Sequence, residues 1–159
     1  MKVINIHTRI LNQPKRKISD LLETLSFKND KMFPIEKWPR MKLNEGLKIG
    51  SMGGHGPIGY IVQKYFIGTL IEFKFTKPSG FKGIHRFDIT ALDHNKTEIK
   101  HTIEMETSGT GTAIWLFAVR WLHDALLEDS FDKVENHFLT EKKKTEWNIW
   151  VKILRTALN

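Results

Sequence analysis

The sequence predicts an α+β fold: a curved antiparallel sheet gripping a long C-terminal helix, with two short helices after the first strand. Three observations carry this. Residues 57–107 alternate with period 2 and are interrupted only by hairpin-length connectors, so successive strands pair antiparallel. Ala113 to Phe138 holds neither Pro nor Gly and repeats its apolar residues at helical spacing. The helical patterns lie after the first strand and after the last, which places helices on one face of a continuous sheet.

In order, residues 2–11 alternate, with Ile4, Ile6, Thr8 and Ile10 on one side and Asn5, His7 and Arg9 on the other, a half-buried strand. Pro14 opens a helix carrying Ile18, Leu21, Leu22 and Leu25. Lys31 to Trp38, closed by Pro39, reads as the second short helix. A short strand near 47–51 precedes the glycine-rich segment around His55, which reads as an inter-strand loop or a gate. It lacks the Lys-Ser/Thr of a phosphate-binding loop. Strands follow near 57–66, 69–76, 82–92 and 96–107, joined at Ile67-Gly68, Pro78-Ser79-Gly80 and Asp93-His94-Asn95. Ser108 to Thr112 supplies capping residues for the long helix. A helical extension near 145–157 bears Trp147, Trp150, Val151 and Leu154 on one face and is placed to cover the apolar back of the long helix.

The 159 residues fit one domain with a sizeable core. With no cysteine, disulfides, thiol catalysis and Cys-based metal sites are excluded, which fits a reducing, cytoplasmic setting. No signal peptide is visible, and the most apolar stretch is too short to insert in a membrane. The net charge of +7 is spread along the chain, which favours solvated faces over a nucleic-acid surface and steers anionic small molecules.

Register can be argued for the last two strands. Their apolar sets, His85-Phe87-Ile89 and Ile99-His101-Ile103, share a face only if paired residue numbers sum to an even value. A sum of 188 sets the turn at Asp93-His94-Asn95 and Asp88 opposite Lys100. It also makes His85 and His101 diagonal neighbours on the inner face, to which the preceding strand adds Ile71, Phe73 and Phe75. On a regular helix Leu116, Arg120, His123, Leu127, Phe131, Val134 and Phe138 form one stripe, so Arg120 and His123 point at that face.

The stretches His55-Gly56-Pro57-Ile58-Gly59-Tyr60, Gly80 to Phe87 and Leu122 to Asp129, with the tail Trp147 to Arg155, resemble bacterial members of the START-like, or SRPBCC, superfamily. The resemblance implies a helix-grip fold over 1–159, around an elongated cavity that takes lipids, polyketides or aromatic molecules. Some members are cyclases or dehydratases and others bind proteins. Cavity-lining candidates are then His85, His101, Arg120, His123 and His55. The apolar candidates are Phe73, Phe75, Phe87, Ile103, Leu116 and Tyr60.

The leading expectation is a binder of a hydrophobic small molecule with a polar or anionic end, which Arg120, His85 and His101 orient. The alternatives are an enzyme using a cavity histidine as acid/base and a protein-interaction module. Neither a cofactor nor a metal is expected, because no ligand spacing supports one. His123-Asp124 matches the dyad of HD phosphohydrolases, but those are all-helical. Oligomeric state stays open.

Overall fold

Seven strands form a single antiparallel sheet in the order β1-β7-β6-β5-β4-β3-β2. They are β1 (Lys2–Leu11), β2 (Lys42–Leu43), β3 (Met52–His55), β4 (Ile58–Phe66), β5 (Leu70–Lys77), β6 (Phe81–Ala91) and β7 (Thr97–Thr107). The helices are α1 (Lys15–Leu22), α2 (Thr110–Ile114), α3 (Arg120–Asn136) and α4 (Ile149–Leu158), with a π-helical turn at Trp115–Val119 joining α2 to α3. This computed structural model describes residues 1–158; Asn159, the last residue of the expected domain, lies outside them. None of the described helices is long and apolar enough to cross a membrane.

The β6–β7 register is the one the alternation demands: His85 pairs with Ile103, Phe87 with His101 and Asp88 with Lys100. The inner face of β5 to β7, with Ile71, Phe73, Phe87, Ile89 and Ile99, meets Leu126, Leu127, Phe131 and Val134 of α3 in the main core. These apolar positions alternate with outward polar ones, as a sheet with one covered face requires.

Three local readings are corrected. Residues 47–51 are turns, not a strand: Gly46 and Gly50 sit at φ +66° and +90°, a region that favours glycine. The strands there are instead β2 and β3. They close tightly because Gly53 and Gly54 have no Cβ; one added to Gly53 would lie 1.8 Å from the Lys42 carbonyl oxygen. Lys31 to Trp38 is a chain of turns, so one short helix, not two, follows β1. Pro34 falls inside the segment, and Pro39 disfavours helical geometry at Trp38. The buried Asp30 carboxylate organises the entry to it, accepting the backbone N–H groups of Ser26, Met32 and Phe33. Finally, α4 begins at Ile149, after an irregular stretch containing Trp147.

β1 is mounted with its polar side inward. Ile4, Ile6 and Ile10 are 59%, 56% and 56% exposed, whereas Asn5, His7 and Arg9 face α3. Alternate strand residues advance roughly 6.6 Å and every fourth helix residue about 6 Å, so the two rows stay in step. Asn5 and His7 meet Asp124, His7 and Arg9 meet Glu128, and Arg9 also reaches Asp132 and Glu135. The seam closes one flank of the helix by charge rather than by apolar contact.

Candidate functional site: a histidine-bearing cavity

Between the sheet and the long helix lies a cavity of about 130 Å³. The sheet contributes Phe75, Phe81, His85, Phe87, His101 and Ile103, and the helix contributes Trp115, Val119, Leu122, His123, Leu126 and Leu127. Phe33, Trp38 and Met41 from the turn segment close one side. Pro39, His55, Gly56, Pro57 and Ile58 are shared with an open groove outside, which places the mouth there.

The helix register differs from the regular one. A π turn winds one extra residue, and every residue before it rotates by roughly 100° relative to those after. Trp115 therefore takes the inward place, where it is buried, and Leu116 is turned out to solvent. Arg120 is also outside: it sits on the margin of the inward face, is exposed, and stacks its guanidinium 5.3 Å from the Trp121 ring centroid. Two indoles serve the widened turn, since Trp121 Nε1 donates to the Leu116 carbonyl (3.1 Å) and Trp150 Nε1 to the Phe117 carbonyl (3.0 Å).

Of the sequence candidates, His55, His85, His101, His123, Phe75, Phe87 and Ile103 border the cavity, and Leu116 and Arg120 do not. Phe73 and Tyr60 stand behind it. Phe73 stacks on His85 with centroids 4.8 Å apart, and Tyr60 brings its hydroxyl 3.1 Å from His55 Nδ1. Sequence reasoning missed Arg155 of α4, the one guanidinium among the described walls. It lies 4.8 Å over the Trp38 ring and donates to the Lys37 carbonyl, while its Nε is buried without a hydrogen-bond partner among the described residues. Its spacing from the buried Val151 is one helical turn, a signal present in the chain. The segment leading into α4 is anchored by Asp129, which is buried and accepts both the Trp38 and Trp147 indole N–H groups at 2.8 Å and pairs with Lys37.

The histidines form a row across the cavity wall. His85 Nδ1 and His101 Nε2 lie 3.3 Å apart, one ring donating to the other, and the His101 and His123 centroids are 4.9 Å apart. Burial and mutual repulsion push His85 and His101 well below the ordinary imidazole range and His55 down to about 4. Burial also lowers His123, with the carboxylate of Asp124 acting against it. The four rings are therefore neutral at pH 7. His85 Nε2, His101 Nδ1 and both nitrogens of His123 are buried with no hydrogen-bond partner among the described residues, so they are polar atoms open to a guest. His7, outside the cavity, behaves oppositely. Burial lowers it, but hydrogen bonds to Asp124 and Glu128 outweigh that and raise it. For Asp124, burial is outweighed by the nearby His123 ring and by hydrogen bonds from His7 and Asn5, which hold it below the usual carboxylate range.

No protein-family model and no curated protein matches the chain. Its fold is nevertheless shared with solved structures. A protein from Thermobifida fusca superposes with TM-score 0.65 at 10% identity, over 90% of this chain and 99% of that one. Truncated norcoclaurine synthase from Thalictrum flavum gives 0.66 at 9%, over 89% and 96%. A START superfamily protein from Mycobacterium smegmatis gives 0.57 at 14%, over 84% and 95%. The fold is the helix-grip fold of START-like proteins; at these identities the likeness extends to the fold alone.

Proposed function

We propose that the protein binds a small hydrophobic molecule of about one aromatic ring, carrying an anionic or polar end, in the cavity between sheet and helix. The observation that supports this most is the combination of a 130 Å³ apolar space with unpartnered histidine nitrogens and a single guanidinium at its walls. An engineered apolar cavity of about 150 Å³ accepts benzene, so the size suits a single ring better than a lipid chain. One ring buries roughly 150–250 Å², worth about 4–6 kcal/mol at 25 cal/mol per Å². That corresponds to a Kd of about 0.04–1 mM before the polar end contributes. Arg155, not Arg120, is assigned to the anionic end.

The test is titration with benzoate, benzyl alcohol and toluene, read by Trp fluorescence and by the shift in Tm. Arg155→Gln is expected to weaken benzoate about tenfold and the neutral pair less than about threefold, and Arg120→Gln to change neither. Equal losses across the three probes in Arg155→Gln, or binding of none of them, would count against the reading.

The unpartnered nitrogens of His85 and His101 favour a second reading, an enzyme on the same scaffold; a synthase is among the proteins that share the fold. Because burial lowers both rings, turnover by them would titrate below the pH 6–7 range of a free imidazole, and His85→Ala or His101→Ala would abolish it.

A further inference from the structure

A second cluster, at the junction of β1 and α3, shares only His123 with the ligand cavity. His7, His123 and Asp124 each offer a ligand atom, and the three atoms lie within 4.8 Å of one another. His7 Nε2 is 3.0 Å and His123 Nδ1 3.6 Å from the same oxygen, Asp124 Oδ1. A tetrahedral ion with bonds of about 2.0–2.1 Å holds its donors roughly 3.4 Å apart. Both contacts to Asp124 Oδ1 lie within a few tenths of an ångström of that, and the two imidazoles, whose ligand atoms are no more than 4.8 Å apart, close on an ion by at most about 1.4 Å.

We propose that His7, His123 and Asp124 form a binding site for a divalent first-row transition ion, with zinc as the reference case. The donor chemistry is two imidazoles and a carboxylate, a set that binds such ions and leaves coordination positions open. The supporting groups are in place. Glu128 Oε1 lies 3.2 Å from His7 Nδ1, so the ring that would ligate through Nε2 is oriented by a carboxylate behind it. Asn5 Nδ2 donates to Asp124 Oδ1 at 2.9 Å and fixes that side chain. The local charge balance suits a cation, since Asp124, Glu128, Asp132 and Glu135 face the single guanidinium of Arg9, with Lys143 reaching only Glu135.

The competing account of the same contacts is a proton on His7 shared with Asp124 and Glu128. That account leaves out His123, whose two buried nitrogens have no hydrogen-bond partner among the described residues and whose 3.6 Å approach to Asp124 is too long for one. An ion supplies the missing partner. Because His123 also borders the cavity, the ion would stand in the wall between the seam and the ligand space. The site does not depend on the cavity being occupied. It was invisible in the sequence because His7 and Asp124 are 117 residues apart.

The experiment uses the untagged full chain, stripped with a chelator. Zn(II) affinity is measured against a chromophoric competitor, and Co(II) is added separately to read its visible d–d absorption. One ion per chain with a Kd at or below about 1 µM is expected. His123→Phe keeps a ring in the cavity wall and Asp124→Asn keeps the side-chain shape. Each is expected to weaken Zn(II) at least about 100-fold, since even supporting residues of such sites are worth 10–100-fold, and to abolish the Co(II) bands. His94→Ala, at an exposed histidine, is expected to leave both readouts unchanged. Circular dichroism reports folding, and if His123→Phe does not fold, Asp124→Asn decides alone. Wild-type binding weaker than about 100 µM, affinity unmoved in Asp124→Asn, or loss of the ion in His94→Ala overturns the site.

Discussion

His85 is 5% exposed, ringed by Phe73, Phe75 and Tyr60, and burial holds it neutral well below the usual imidazole range. In the unfolded chain the same ring titrates near 6.5. Below that pH the unfolded state binds a proton that the native state refuses. The stability this ring contributes is therefore complete above about pH 6.5 and is lost as pH falls towards its depressed native value. The loss approaches about 1.4 kcal/mol per pH unit for each such group. His55, His101 and His123 are lowered in the same direction and add to it. His7, raised by its carboxylates, acts above pH 6.5 and is flat below. Asp124, held low, begins to matter only under about pH 4, where its unfolded form titrates. Between about pH 6 and about pH 5 the wild type should thus lose several kcal/mol, a large share of a typical 5–15 kcal/mol. His85→Phe removes one titration and keeps the stacking. It leaves His101 Nε2 unpartnered, a pH-independent cost of about 1–3 kcal/mol. Urea denaturation at steps from about pH 7 to about pH 5 should show a less stable variant whose pH slope is shallower by about 1 kcal/mol per unit, so that the two curves converge in acid. Parallel curves, or a wild type flat across the window, would refute the argument.

Two further predictions concern the polar anchors. Arg9→Met should cost about 2–4 kcal/mol in urea melts, because Glu128, Asp132 and Glu135 lose a shared guanidinium that is only 22% exposed; a loss under about 0.5 kcal/mol would reduce the seam to a surface ion pair. Asp129→Ala removes the acceptor of two indole N–H groups and the partner of Lys37. It should cost about 3 kcal/mol and expose residues 139–148 to limited proteolysis before the sheet; uniform proteolysis of the chain would argue against an anchoring role.

The sheet was legible because alternation plus turn length admits few registers. His85 and His101 could be placed as diagonal neighbours from parity and the Asp93-His94-Asn95 turn, and their nitrogens are 3.3 Å apart. The facing of β1 was not legible. Its isoleucines look like a core face, but what decides is the acidic row on α3, more than a hundred residues away. Lys31 to Trp38 misled because apolar spacing resembles a helix while Pro34 and the Asp30 carboxylate impose turns. Arg155 was overlooked because the second cationic position, Arg120, fell on a cleaner helical stripe.

That stripe failed for a reason with a test of its own. On a regular helix the residue seven before His123 shares its face, and that residue is Leu116. The π turn makes it Trp115, eight before, and the chain meets the cost of the widened turn by offering two indole donors to its carbonyls. Deleting Phe117, which is 67% exposed, returns Trp115 to seven residues before His123. A continuous α-helix then keeps the same inward face. The shortened chain should fold with Trp115 still buried, read as a blue-shifted, quencher-resistant fluorescence component, and should lose only the Trp150 contact, a net change of about 1 kcal/mol. Trp150→Phe in the full-length chain removes the same donor while leaving the π turn unsatisfied, so it should destabilise at least as much as the deletion. If the deletion costs several kcal/mol while Trp150→Phe costs nothing, the π turn is not a one-residue insertion relieved by its indoles, and the placement of Trp115 has another cause.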